Sequence, residues 1–253
     1  KLKDLYDLCY NIKKNFFDLG YINNISIMTG NIANPDTYEY LCGINKCHFF
    51  ELNKCNIVDY IRVSIGSGSG CLTSSNLGIH YPIASLIDKC YQLKYGFGDF
   101  CCPKIIADGG IKNYDNIIKA FALGADYVMI GGLFAGFFES AAEFVDENEC
   151  YYAKKDNASE NAKRECIEYK QPYKKFYGMS TKYAQKLIGK SNKTSEGKLE
   201  NIKVKYTIKQ WSDNMDSYLR SALSYCGCHS LEEFIGNINL IVNSAAEQNA
   251  INK

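Results

Sequence analysis

Residues 66–73 read Gly66-Ser67-Gly68-Ser69-Gly70-Cys71-Leu72-Thr73, a thiol set among three glycines. Glycines free the backbone to approach a ligand or an ion, and the N–H groups they expose favour a thiolate over a thiol. Cys71 is therefore a candidate nucleophile, with Thr73 close enough in sequence to relay a proton. Taken alone, the loop fits a flexible linker with an idle cysteine equally well. It is not GxGxxG, and no lysine follows to make a P-loop. Two further spots carry compatible chemistry. Asp108-Gly109-Gly110 and Gly131-Gly132 offer backbone amides to a phosphate, and the aspartate suits a ribose diol. Either Gly-Gly pair could be an ordinary strand-ending turn. Two in succession, downstream of a cysteine loop, shift the reading toward a nucleoside monophosphate.

These residues need elements that bring them to one rim. Val58 to Ile65 reads as the strand feeding the cysteine loop, Lys104 to Ala107 as a short buried strand feeding Asp108, and Tyr127 to Ile130 as the strand feeding Gly131. An earlier strand, Ile25 to Thr29, ends at Gly30-Asn31. Helices alternate with them. Leu2, Leu5, Leu8, Ile12 and Phe16 share one face of an opening helix. Asn34-Pro35 starts a second, Pro82 a third with Ile83, Leu86, Ile87, Cys90 and Leu93 on one face, and Asn113 caps a fourth. Alternating strands and helices imply an α/β fold with a parallel sheet, either a doubly wound open sheet or half of a (β/α) barrel. Residues 143–175 lose all periodicity in mixed charge and read as a mobile insertion, a lid over the rim or a solvated loop without a role. Ser230 with Glu233 forms a capping box near the end.

Composition narrows the classes. The chain has 253 residues, enough for a single barrel-sized domain, and 29 basic against 28 acidic side chains give no one-signed surface for nucleic acid or an anionic membrane. No apolar run reaches the ~20 residues that cross a bilayer. The twelve cysteines lack the framework of a small secreted domain, so a reducing compartment without disulfides is expected. Cys101-Cys102 and Cys226/Cys228 match neither CxxC nor a zinc knuckle, and His48, His80 and His229 lie far apart, which argues against a structural metal.

Set in order, Gly30-Asn31, GSGSGCLT, ADGG (Ala107 to Gly110), ALGADYVMIGG (Ala122 to Gly132), AG..ES..E (Ala135 to Glu143), FYGMS (Phe176 to Ser180), SEGK (Ser195 to Lys198) and LRSALSYCG (Leu219 to Gly227) resemble the IMP dehydrogenase and GMP reductase family from about residue 26 to 235. The resemblance implies a (β/α)8 TIM barrel of which this chain carries the second half, strands 5–8, plus C-terminal helices. It implies that Cys71 attacks purine C2, with Thr73 and Glu196 as the proton relay. Ser69, Asp108, Gly109, Gly110, Gly131, Gly132, Gly178, Met179 and Ser180 would cradle the nucleotide, and Lys193, Thr194, Ser195 and Gly197 would close over the base. Ile65, Gly66, Ser221, Ala222, Leu223 and Ser224 would touch NADPH, and Gly66, Gly68 and Cys71 would hold a monovalent cation, K+, through their carbonyls. No Arg-Tyr pair follows FYGMS, and Ser180 stands where dehydrogenases usually have glycine. Both favour reductive deamination of GMP to IMP over oxidation of IMP, in a cytoplasmic homotetramer. Ser74 and Lys193 replace arginines usual in reductases, which leaves a nucleotide-binding homologue without turnover as a third reading.

Overall fold

The computed structural model describes residues 2–48, 51–53, 55–68, 71–98, 101–145, 153–154, 158–178, 181–189 and 198–241. Its centre is a parallel sheet of β1 (Met28–Ile32), β2 (Tyr60–Val63), β3 (Lys104–Asp108) and β4 (Tyr127–Met129), paired in sequence order. Each crossover carries helix: α2 (Pro35–His48), α3 (Thr73–Leu77) with α4 (Ile83–Phe97), and α5 (Tyr114–Ala122). The parallel α/β fold expected from the alternation is therefore present, and the described residues show no barrel closure.

Strand parity explains where the core lies. Ile61 and Val63 of β2 stand in register with Ile105 and Ala107 of β3, and all four are buried against Leu41, Cys42, Leu86, Ile87, Cys90 and Ala120 from the helices. The alternate positions Met28, Tyr60, Arg62, Lys104, Tyr127 and Met129 keep partial or full exposure on the opposite face, where Ile106 is buried. Among the described residues, helices cover one side of the sheet. At its lower end Asp126 accepts the Ile105 N–H at 2.7 Å and pairs with Lys94 at 2.9 Å, which compensates an ammonium buried beneath α4.

Several boundaries differ from the sequence reading. The first strand begins at Met28 and runs through Gly30 and Asn31, because Ile27 is held by Asp59 (2.6 Å) before pairing starts. In α1 (Leu2–Asp18) the buried face centres on Cys9 and Lys13, leaving Leu2 and Leu8 exposed. Lys13 reaches inward to Asp59 at 2.8 Å and to the Ile25 carbonyl, so an ion pair joins the packing of Leu5, Tyr6, Cys9 and Tyr10 in setting the rotation of the helix. Asn34 caps α2 as expected, accepting the Thr37 N–H at 3.0 Å. Asn113 occupies the cap position of α5 without a side-chain bond, and Asn116 instead accepts the Lys112 N–H.

The charged stretch after β4 is not featureless. Following α6 (Gly132–Ala135), residues 143–175 include α7 (Glu160–Glu165), which runs on into a wider π turn. Cys166 of that turn is disulfide-bonded, against the expectation of free thiols throughout, while the ten other described cysteines are free. Two strands that the sequence reading did not find, β5 (Tyr173–Tyr177) and β6 (Leu199–Lys203), pair antiparallel. Lys174 on β5 is buried and donates to the carbonyls of Phe138 and Ser140 at 2.7 and 2.5 Å. After α8 (Lys182–Leu187), the chain returns through β6 to α9 (Ile208–Tyr225), whose start is a capping box of Thr207 and Gln210. Glu139, from the AG..ES..E motif, accepts the Ile208 N–H at 3.0 Å and pairs with Lys163 at 2.9 Å. Burial raises its pKa, but the Lys163 and Ile208 hydrogen bonds outweigh that and hold it below the usual glutamate value.

The last helix, α10 (Leu231–Phe234), has only half the expected box. Ser230 accepts the Glu233 N–H, but Glu233 turns to the N–H of His229. The segment docks through Tyr91, whose ring lies between two glycines. A Cβ on Gly124 would fall 2.2 Å from that ring and one on Gly236 2.0 Å from it.

Candidate active site

The cysteine loop leaves β2 through Ser64, a buried non-glycine residue at φ +114. That conformation is held from both sides. The Ser64 hydroxyl makes a short hydrogen bond to Ser67, and Ser67 Oγ donates to the Asp108 carbonyl at 3.1 Å, which ties the loop to the end of β3. Gly109 permits the closeness: at φ +90, a Cβ there would meet Ser67 Oγ at 2.6 Å and the Gly68 nitrogen at 2.9 Å. Beyond the turn, the Cys71 N–H donates to the Gly68 carbonyl at 3.0 Å. The Cys71 thiol, half-buried, donates to Thr73 Oγ1 at 3.1 Å, and Thr73 opens α3.

Asp108 stands beside this pair at the tip of β3. Three donors converge on its Oδ2: Asn31 Nδ2 at 2.7 Å, Arg62 Nη2 at 2.7 Å and Arg62 Nε at 3.2 Å. Among the described residues no donor reaches Oδ1. Asp108 is thus a fixed carboxylate with one oxygen free for a hydroxyl partner. Asn31, Ser64 to Gly68, Cys71, Thr73, Asp108 and Gly109 line one cavity of about 270 Å³. A second, of about 160 Å³, shares Gly68, Asp108 and Gly109 with it and extends along Gly110, Lys112, Met129, Gly131, Gly132 and Phe176. The cleft therefore runs from a thiol, past a carboxylate, to two Gly-Gly turns, and its joint size falls in the range of small-molecule sites, roughly 300–1,000 Å³.

The family model for the IMP dehydrogenase / GMP reductase domain matches residues 5–251. The chain belongs to this family. Similar curated proteins include the GMP reductase of Caenorhabditis elegans, 30% identical over 82% of this chain and 49% of the relative, and GMP reductase 2 of Mus musculus, 30% identical over 82% and 50%. The GMP reductase of Escherichia coli O157:H7 is 32% identical over 69% of this chain and 44% of its own length. The chain spans about half the length of the curated relatives it matches.

Within this family member the cleft gathers Cys71, Thr73, Ile65, Gly66, Gly68, Asp108, Gly109, Gly110, Gly131 and Gly132. Gly178 follows β5, where its carbonyl accepts both the N–H (3.0 Å) and the hydroxyl (2.8 Å) of Thr181. Ser69, Met179, Ser180, Lys193, Thr194, Ser195, Glu196 and Gly197 lie outside the described residues. Ser221 to Ser224 do not join Ile65 and Gly66. They sit in the last turn of α9, which contributes no lining residue to either part of the cleft.

Of the three carbonyls expected to hold K+, that of Gly66 accepts Ser74 Oγ at 3.2 Å and that of Gly68 accepts the Cys71 N–H at 3.0 Å, which leaves each a second lone pair. Among the described residues no group of three or more His, Cys, Asp or Glu could hold a metal ion, and no helix is long and apolar enough to cross a membrane.

Sequence reasoning missed Arg62, Asn31 and Ser67. The signal for Arg62 was its place in β2 two residues before Ser64, a charge inside an apolar strand that needed a partner on a neighbouring strand.

Proposed function

We propose that the chain carries the nucleotide and thiol side of a GMP reductase, which deaminates GMP reductively to IMP and ammonia. One observation carries the reading: the Cys71–Thr73 pair, the Asp108 carboxylate and the paired Gly-Gly turns line a continuous cleft in the order base, ribose, phosphate. The phosphate would sit against the amides of Gly109, Gly110, Gly131 and Gly132, and Asp108 Oδ1 would accept from the ribose. In that pose purine C2 would face the Cys71 sulfur.

As the sulfur bonds to C2, the Cys71 proton passes through the Thr73 hydroxyl, already its acceptor, to the Glu196 carboxylate. Glu196, with Thr73, then supplies a proton to the departing 2-amino group, leaving a thioimidate between Cys71 and the purine. NADPH, which Ile65 and Gly66 would help to hold, would supply a hydride to C2, and Cys71 would then leave as the C–S bond breaks, releasing IMP. The chain's own part is to fix the base, relay the proton through Thr73 and keep Asp108 from rotating through Arg62 and Asn31.

The one-sided sheet supports a half-barrel. Parallel sheets are normally covered on both faces, and four consecutive parallel strands with helices on one face are the geometry of half a closed barrel. A cytoplasmic homotetramer belongs to the same reading on family resemblance alone. A reading without turnover is favoured by Ser74, which spends its hydroxyl on the Gly66 carbonyl where an arginine is usual in reductases.

The test uses the full-length protein with GMP and NADPH. Loss of the reduced-nicotinamide absorbance with formation of IMP is expected, and Cys71→Ala should lower kcat by at least about a thousandfold while still binding GMP. Turnover of IMP with NAD but not of GMP would make it a dehydrogenase. GMP binding with no turnover of either would leave the nucleotide-binding reading.

A further inference from the structure

The phosphate end of the cleft does not stop at the Gly-Gly turns. A further lobe of about 210 Å³ shares Ile111, Lys112 and Gly132 with the cradle and is walled beyond them by Lys203, Lys205 and Tyr206. Three lysines therefore line one small cavity, and no carboxylate lines it. In a chain with 29 basic and 28 acidic side chains such a local excess stands out. Lys13, Lys94, Lys119, Lys163 and Lys209 each have a carboxylate within 2.9 Å. Among the described residues Lys112, Lys203 and Lys205 make no ion pair, and the Lys203 ammonium rests on the neutral Gln171 Oε1 at 2.8 Å.

The folding of these residues needs no such arrangement. Lys205 is fixed only through its backbone, whose N–H donates to the Gly136 carbonyl at 3.0 Å, and β6 would pair with β5 whatever its exposed side chains were. Unneutralised lysines beside a bed of backbone amides are the equipment of a polyanion site.

We propose that this lobe takes the second phosphate of a purine nucleoside diphosphate whose first phosphate lies on the Gly-Gly cradle. This rests on the nucleotide reading of the cleft and extends it. A nucleotide with one phosphate leaves the lobe to water, while one with two reaches Lys203 and Lys205. The site then discriminates nucleotides by phosphate number, and a diphosphate that fills it competes with the monophosphate substrate.

The experiment titrates the full-length protein with GMP, GDP and inorganic pyrophosphate by calorimetry, in low and in high salt. GDP is expected to bind about fivefold to tenfold more tightly than GMP at low salt, with the gap narrowing as salt screens the exposed lysines. Lys203→Gln combined with Lys205→Gln should remove the gap and leave GMP affinity unchanged. GDP binding no tighter than GMP, or an equal loss for both in the double variant, overturns the lobe and leaves the nucleotide reading standing. Lysine-dependent binding of pyrophosphate without binding of GMP or GDP overturns the nucleotide reading, and the proposal with it. If the double variant instead weakens NADPH and spares GDP, the lobe serves the dinucleotide and the proposal fails.

Discussion

At the scale of single residues, the site is built by constraint. Ser64 shows this most directly. Its φ of +114 is a backbone region that an L residue enters at a cost of about 1–3 kcal/mol, and its hydroxyl bond to Ser67 returns about 1 kcal/mol. Glycine relieves the strain but loses the bond and adds about 0.4–1 kcal/mol of unfolded-chain entropy, so Ser64→Gly should shift stability by less than about 1 kcal/mol in urea unfolding. A loss of more than about 2 kcal/mol would show that the Ser67 link outweighs the backbone cost. The glycine-rich loop was legible in the sequence because glycine and cysteine types are scarce enough to stand out at that spacing. Arg62 and Ser67 were not, since their role is to hold Asp108 and its carbonyl, and nothing local to either residue names a partner some forty positions away.

At the scale of elements, legibility followed periodicity. The four parallel strands and α2, α4 and α5 announced themselves because their apolar positions recur for burial on one side. Strands β5 and β6 did not, because neither carries an apolar alternation: the buried position of β5 is a lysine, and β6 is exposed at four of its five positions. The Thr207–Gln210 box was readable by the same rule applied to Ser230 and Glu233, yet the complete box formed at the former. Two predictions belong here. Gly236→Ala places a methyl group against the Tyr91 ring at positive φ, so it should cost more than about 2 kcal/mol and release α10 to protease before the rest unfolds. Cleavage at the wild-type rate would remove Tyr91 as the clamp. The second concerns Lys174, whose pKa burial pushes down to about 8. An unfolded lysine titrates near 10.4, so between pH 8 and about 10.4 the unfolded chain holds a proton the folded one lacks. Stability should therefore rise with pH in that window, by up to about 1.4 kcal/mol per unit, and stay flat below it. Lys174→Met, compared with wild type by thermal unfolding, should lose that rise. A difference that instead grew as pH fell from 8 to 6 would contradict the assignment.

For the whole molecule, the consequential fact is the uncovered sheet face with Met28, Tyr60, Tyr127 and Met129. Under the half-barrel proposal that face meets four further strands. Residues 1–253 alone should then bind a hydrophobic dye, and the N-terminal half of a reductase relative added in trans should displace it. Dye binding indifferent to that partner would count against closure. The sequence made the sheet readable but not its bare side, because β2 alternates while Ile105-Ile106-Ala107 of β3 is apolar throughout, as in a sheet covered on both faces.

Trp211, the single tryptophan, stacks on Tyr114 with centroids 5.5 Å apart and meets Phe134 edge-on at 5.5 Å. It also lines an apolar cavity whose far wall includes Gly131 of the phosphate turn. The molecule consequently contains its own optical reporter: emission from one indole, in a cavity that also touches Gly131, would change colour as a nucleotide settles there, with no label attached.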